Sequence, residues 1–247
     1  MITPFLRGRL GNQMFQYSIT RIIAEKNGYN FYIPKEKNGN GQNISDYFDL
    51  DIGMQDGNLR YRYDENNDQN YDTNIFNVSD FTYLSGFFQT EKYFLGYEAK
   101  IKDWFRVNKT DEVENILNKY PVDEYCYIHF RGGDYKDITD WLLPKKYYQD
   151  AMNEMGNGLK FLVITDDIEF ASQFFNQIEI ISNDMMVDFS LLYHSKFCII
   201  PNSSFSWWAA WLSDKEKIIA PLGWINYNKH DGSFWPHDVK TDKFNYV

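Results

Sequence analysis

One short stretch brings three different groups able to handle charge close together. Tyr125-Cys126-Tyr127-Ile128-His129-Phe130-Arg131-Gly132-Gly133-Asp134-Tyr135 begins as an aromatic and β-branched run and ends in an imidazole, a guanidinium and a carboxylate. Arg131 is a permanently charged, forked donor of the kind that takes phosphate or carboxylate. Asp134 lies three residues on, so the pair reads either as a loop salt bridge or as part of an anion site. Two further stretches repeat the pattern of an apolar run ending in polar groups: Thr165-Asp166-Asp167 and Asn202-Ser203-Ser204. Asp166 and Asp167 suit helix N-caps, or the ribose or base of a nucleotide. Ser203 or Ser204 suits an N-cap, and the same helix start can hold a phosphate through N–H and hydroxyl groups. Asp188, opening a later helix, has the same two readings as Asp166. Near the N-terminus, Gly8-Arg9-Leu10-Gly11-Asn12-Gln13 forms a glycine turn before a helix. It is neither GxGxxG nor a P-loop, and as a phosphate signal by itself it is weak.

The elements that must position these groups follow from the apolar pattern. From residue 122 the alternation is regular, with strands over 125–131, 160–164, 178–181, 197–200 and 217–220. Helices are predicted from about Pro144, over 168–175, from about Met185 and over 205–212. Five strands alternating with helices imply a parallel sheet of Rossmann type, in which ligands bind beyond the carboxyl ends of the strands. The three polar ends all lie there. Trp207, Trp208 and Trp211 recur at helical spacing; at least two are expected in the core, leaving one to face a ligand. In the first half, a strand over 2–6, a helix up to Asn27-Gly28 and a strand over 29–33 make one βαβ unit. Residues 35–80 are polar and read as long loops with short strands. An aromatic strand over 81–94 leads into a helical stretch over 95–120 that ends at Tyr120-Pro121. That end sets the expected domain boundary, giving domains 1–121 and 122–247.

Composition narrows the function classes. The 247 residues are 43% hydrophobic and carry a net charge of −10, which supports a sizeable core and opposes nucleic-acid binding, since that needs a basic face. A small anion held by a few local arginines is compatible. The 19% aromatic content serves cores and sugar or nucleotide clefts alike. The two cysteines, Cys126 and Cys198, sit in apolar runs as buried thiols, and no metal-ligand spacing occurs. There is no leader-like N-terminus and no apolar run of the ~18 residues that would span a bilayer. The chain is expected to be cytoplasmic.

The motifs, taken in order, resemble those of the inverting α-1,2-fucosyltransferases that use GDP-fucose. They are Gly8-Arg9-Leu10-Gly11-Asn12-Gln13-Met14-Phe15-Gln16-Tyr17, Gly86-Phe87-Phe88-Gln89-Thr90-Glu91-Lys92-Tyr93, His129-Phe130-Arg131 with Gly133-Asp134-Tyr135, Leu143-Pro144 with Tyr147-Tyr148, and Asn202-Ser203-Ser204-Phe205-Ser206-Trp207-Trp208, followed by Ala220-Pro221 and Trp224. The resemblance implies an α/β fold of GT-B-like architecture: two facing Rossmann-type domains, the donor in the cleft, the N-terminal one on the acceptor side, with no metal and no cofactor beyond the donor substrate. It further implies that Arg131 contacts the donor's β-phosphate. By the same resemblance Asn12, His129, Ser203, Ser204 and Phe205 would line the nucleotide site and Asp188 would read guanine; Gly11, from its place in the glycine turn, and Asp166, from its place at a strand end, are added to that set as candidates. Asp134 is the candidate base for the acceptor hydroxyl, or else a structural partner of its loop.

The expected activity is transfer of fucose from GDP-fucose to the 2-hydroxyl of a galactose-type acceptor, in surface-glycan assembly. The partners would be the donor and a glycan, with peripheral membrane association if the acceptor is lipid-linked. Two alternatives stay open: a transferase of the same fold using another nucleotide sugar, and an inactive nucleotide-sugar or glycan-binding module. The second is raised by one departure. The family's usual His-x-Arg-Arg-x-Asp is here His129-Phe130-Arg131-Gly132-Gly133-Asp134, so the second arginine is missing. Residues 35–80 also match weakly, which leaves the acceptor open.

Overall fold

The computed structural model describes residues 1–138, 140–156, 158–225 and 236–247. The chain forms two compact α/β units: Met1–Arg106 with Pro236–Lys240, and Val107–Trp235 with Thr241–Val247.

In the first unit, strand β1 (Ile2–Pro4) leads through Arg7-Gly8 into helix α1 (Leu10–Asn27), which stops at Gly28. Strands β2 (Tyr61–Asp64) and β3 (Thr82–Ser85) complete a parallel sheet in the order β1-β3-β2. The strand predicted over 29–33 is reduced to single-residue bridges, Phe31 to Ile2 and Tyr32 to Gly53. Short helix α2 (Glu98–Trp104) closes this part of the chain. Helix α1 is buried almost all round, including Gln13, Gln16, Ser18 and Thr20. Its buried polar groups are used locally: Ser18 and Thr20 hydroxyls donate to the carbonyls one turn back, each at 2.7 Å.

The second unit is a doubly wound sheet. Its strands are β4 (Tyr125–Phe130), β5 (Lys160–Thr165), β6 (Glu179–Ile181), β7 (Phe197–Ile199), β8 (Lys217–Ala220) and a two-residue β9 (Asn245–Tyr246) that the sequence pattern did not signal. All pairings are parallel, in the order β6-β5-β4-β7-β8-β9. The chain therefore reverses its direction of winding between β4 and β7, the place where an open α/β sheet leaves a crevice for ligand. Alternation along β4 divides its side chains. Cys126, Ile128 and Phe130 enter a core with Tyr147, Tyr148, Ala151 and Met155 of helix α4 (Lys145–Met155) and Ala171 of helix α5 (Ile168–Ser172). Tyr127 and His129 point the other way: the Tyr127 hydroxyl donates to the Tyr120 carbonyl at 2.5 Å, and His129 meets Phe205. That face is covered by helices α3 (Asp111–Lys119), α6 (Met185–His194) and α7 (Ser204–Leu212), with α6 packed on both of the others.

Two expectations are corrected here. The stretch 95–120 is not one helix, and the units divide at Arg106/Val107 rather than at Pro121. Thr110 starts a separate helix by accepting a hydrogen bond from the Val113 N–H at 3.3 Å, with Asp111, Glu112 and Glu114 at the positive end of the helix dipole. Helix α3 belongs to the second unit because it packs on α6, where the Ser190 hydroxyl donates to the Asn108 carbonyl at 3.2 Å. The return of Pro236–Lys240 to the first unit is explained by Asp238, which accepts from the Tyr71 N–H at 2.8 Å and pairs with Lys92. Cys126 and Cys198 are buried free thiols, and burial pushes the Cys198 thiol up to about 11. Among the described residues no helix is long and apolar enough to cross a membrane.

Candidate functional site

The carboxyl end of β4 turns through Gly132 and Gly133 into a single helical turn over Gly133–Asp137. Arg131, whose side chain is only 13% exposed, directs its guanidinium at two carboxylates: Asp134 at 2.5 Å and Asp166, from the end of the neighbouring β5. Asp166 Oδ1 also accepts from the N–H groups of Gly132 and Gly133, at 3.0 and 3.1 Å. One guanidinium and two consecutive backbone N–H groups thus converge on a single anion. The glycine at 133 is what admits it, since a Cβ there would lie 2.5 Å from Asp166 Oδ2. The two aspartates take different roles. Asp167 caps α5, accepting from the Phe170 N–H at 3.0 Å and from Lys136 at 2.7 Å, and Lys136 draws its carboxyl below the ordinary value.

The β7 end lies directly beside the β4 end, and the two loops are tied together. The Tyr135 hydroxyl donates to the Asn202 carbonyl at 3.1 Å, while Asn202 Nδ2 donates to the carbonyls of Trp141 and Trp224 at 2.9 and 2.6 Å. Ser203 then holds the N-cap position of α7 in extended backbone, but its side chain makes no capping hydrogen bond. The first turn of α7 therefore presents its N–H end at the β4–β7 crevice without a hydroxyl cap from Ser203, an arrangement favourable to negative charge.

Behind this rim, His129 is 5% exposed and its Nδ1 has no hydrogen-bond partner. Burial lowers its pKa to about 4, so at neutral pH the ring is an uncharged donor and acceptor, not a cation. It stacks obliquely on Phe205 at 5.5 Å, and Phe205 meets Phe189 of α6 edge-on at 5.2 Å. Asp188, the neighbour of Phe189, is 8% exposed. The N-cap of α6 is Asp184, not Asp188; Asp188 instead accepts from Asn183 Nδ2 at 2.8 Å, and burial raises its carboxyl to about 6. All three tryptophans of α7 are core: Trp207, Trp208 and Trp211 are 1%, 0% and 0% exposed.

Gly11 and Asn12 belong to the first unit, in the turn that opens α1. Asn12 accepts from Gln89 Nε2 at 2.6 Å. Gly8 has φ +74°, and a Cβ there would fall 2.1 Å from Asn12 Nδ2. Gln16 clamps the Arg7 backbone in both directions, at 3.1 and 3.3 Å, and donates to the Gly86 carbonyl at 3.0 Å. The first two motifs of the sequence are therefore one structure. A residue absent from the sequence reading holds it: Glu65, in the polar stretch taken as solvated loop, accepts from the N–H groups of Phe87 and Phe88, both at 2.7 Å. Arg7 lies over the Phe87 ring at 4.2 Å.

The second-unit site offers donors for an anion at a crevice, flanked by a neutral buried imidazole, an aromatic pair and a buried carboxyl. Such a set fits a phosphorylated nucleoside better than a neutral sugar alone. The model of Glycosyl transferase family 11 matches residues 1–247. The chain is 33% identical over 159 residues to an alpha-1,2-colitosyltransferase of Escherichia coli, covering 57% of this chain and 55% of that protein. It is 31% identical over 120 residues to the O-antigen biosynthesis glycosyltransferase WbnK of Escherichia coli, covering 41% of this chain and 39% of the relative. The chain thus spans about half the length, or less, of these relatives. Among solved structures it is similar in fold to the NodZ alpha-1,6-fucosyltransferase soaked with GDP-fucose, with TM-score 0.57 and 11% identity, over 86% of this chain and 92% of that one.

Proposed function

The chain belongs to glycosyl transferase family 11, and from that premise we propose that it transfers fucose from GDP-fucose to the 2-hydroxyl of a galactose-type acceptor with inversion and without a metal. The observation that carries the reading is the convergence of Arg131 and the Gly132 and Gly133 N–H groups beside the start of α7. Breaking the bond between the sugar and GDP develops charge on the leaving diphosphate while the sugar gains oxocarbenium character. Arg131 supplies a fixed positive charge to that diphosphate, and the N–H groups of Ser204 and Phe205 supply oriented dipoles without any reorganisation at the moment of reaction. Asp188, when ionised, offers the guanine N–H edge two acceptor oxygens. His129 Nδ1, buried without a protein partner, is satisfied by the nucleotide. Asp134, 45% exposed, is accessible to an acceptor hydroxyl and serves as the base once Arg131 turns to phosphate.

A second reading concerns the sugar. The relative named an alpha-1,2-colitosyltransferase raises colitose as an alternative sugar, and the donor of this chain carries either fucose or colitose. Both readings are tested by incubating the protein with GDP-fucose and with GDP-linked colitose, in the presence of chelator and a panel of β-galactosides. GDP release with an α-1,2-linked product from one donor supports the proposal. Hydrolysis alone, strict dependence on Mg or Mn, or product from neither donor overturns it.

A further inference from the structure

The anion cradle at the end of β4 is already filled, and by the protein itself. Arg131 faces two carboxylates, Asp134 and Asp166, and the two backbone N–H groups that complete the cradle both point at Asp166. This is more than an ion pair at a loop. A salt bridge needs only the guanidinium, whereas here the carboxylate uses all three donors that a phosphate oxygen would use. The local count of charge sharpens the point. Arg131 carries one positive charge against two negative ones, and Lys136, in the same helical turn as Asp134, is paired with Asp167. A diphosphate arriving beside both carboxylates would meet net repulsion. The glycines also fit the β5 end closely, since a Cβ at 133 would lie 2.5 Å from Asp166 Oδ2 and one at 132 would lie 2.9 Å from the Cβ of Asp167. The cradle is therefore shaped for the β5 end to dock into it. Asp166 is 31% exposed on its side chain, so it can swing into solvent without burying an unpaired charge.

We propose that Asp166 is an internal stand-in for phosphate, which holds Arg131 and the glycine N–H groups in anion-binding geometry while the site is empty and is displaced when a diphosphate binds. This rests on the reading that Arg131 takes the donor's diphosphate, and it removes Asp166 from the set of direct nucleoside ligands. Asp166 becomes a positioning residue that lowers affinity for the diphosphate and keeps the cradle organised between turnovers.

The two roles for Asp166 predict opposite results. Asp166→Asn keeps an oxygen able to accept from the Gly132 and Gly133 N–H groups but removes the charge that competes for Arg131. Calorimetric titration of the whole chain with pyrophosphate and, separately, with guanosine reads the outcome. The expected result is pyrophosphate binding about tenfold tighter in D166N than in the parent, as follows from losing one charge-assisted competitor, with guanosine binding unchanged. Unchanged or weaker pyrophosphate binding in D166N overturns the proposal, as does weaker guanosine binding, which would make Asp166 a nucleoside ligand. Arg131→Ala separates this from the functional reading. If R131A binds pyrophosphate as well as the parent, or if neither the parent nor D166N binds it, the cradle itself is refuted. Loss in R131A with no gain in D166N refutes only the stand-in.

Discussion

Replacing Asp188 by asparagine should change how stability depends on pH. Asp188 is buried near the start of α6, and burial raises its carboxyl from an ordinary 3.8 to about 6, with Asn183 partly opposing the change through its side-chain and backbone N–H groups. A tenfold change in proton affinity is worth about 1.4 kcal/mol. Because the folded protein holds this proton more tightly than the unfolded chain does, unfolding releases it between the two values, and stability falls as pH rises through that window. The ionised group thus costs about 3 kcal/mol at neutral pH that it does not cost in acid. Asp188→Asn removes the titration while keeping an oxygen for Asn183 Nδ2. Urea unfolding, followed by the fluorescence of the buried Trp207, Trp208 and Trp211 of the same unit, measures both proteins at about pH 4 and pH 7. The stability difference should move by about 2.5 kcal/mol in favour of D188N over that interval, since at about pH 4 the unfolded carboxyl is already partly ionised. A difference that stays constant within about 0.5 kcal/mol refutes the argument. A cost tolerated at neutral pH is what a binding carboxylate would show, and D188N should correspondingly lose affinity for guanosine.

Lys215 is a half-buried cation whose Nζ donates to the carbonyls of Leu192, Tyr193 and Ser195 and to the Ser195 hydroxyl, at 2.5, 3.2, 2.7 and 3.0 Å, closing the C-terminal end of α6. Lys215→Met leaves these acceptors unpaired and should lower stability by about 3 kcal/mol in urea unfolding; a loss under about 1 kcal/mol would show that water replaces the ammonium. Gly8→Ala combines a left-handed backbone with a clash against Asn12. It should cost about 1–3 kcal/mol, read as a drop in melting temperature, and an unchanged melt would contradict the close approach of Gly8 to Asn12.

The second unit was readable because its strands are short apolar runs buried on both faces, each ending in polar residues and each followed by a helical pattern. Reading the strand ends therefore located Arg131, Asp166 and Ser203 in adjacent loops. Which of them touch was not readable, because pairing across strands depends on sheet order, and neighbouring aspartates such as Asp166 and Asp167 look alike in sequence while one caps a helix and the other fills a cradle. Glu65 was hidden for the same reason: its partners lie 22 and 23 residues away, and its setting, Asp64-Glu65-Asn66-Asn67-Asp68, has the composition of a solvated loop. The division at Arg106 carried a local signal in Thr110 followed by Asp111 and Glu112, but no glycine or proline marked the break, and the apolar spacing ran on across it. Gly132, the departure from the family pattern, gains a physical setting, since its missing Cβ is what lets Asp167 approach.

The central claim is that Arg131 carries the positive charge on which transfer depends. Its most direct test is the rate of GDP release from GDP-fucose with a β-galactoside acceptor, in the parent and in Arg131→Ala, each shown to be folded by its unfolding transition. Loss of one such preorganised donor at a developing charge costs on the order of a hundred- to a thousandfold in rate, and a fall at least that large is predicted. Turnover in R131A within a few-fold of the parent would contradict the account.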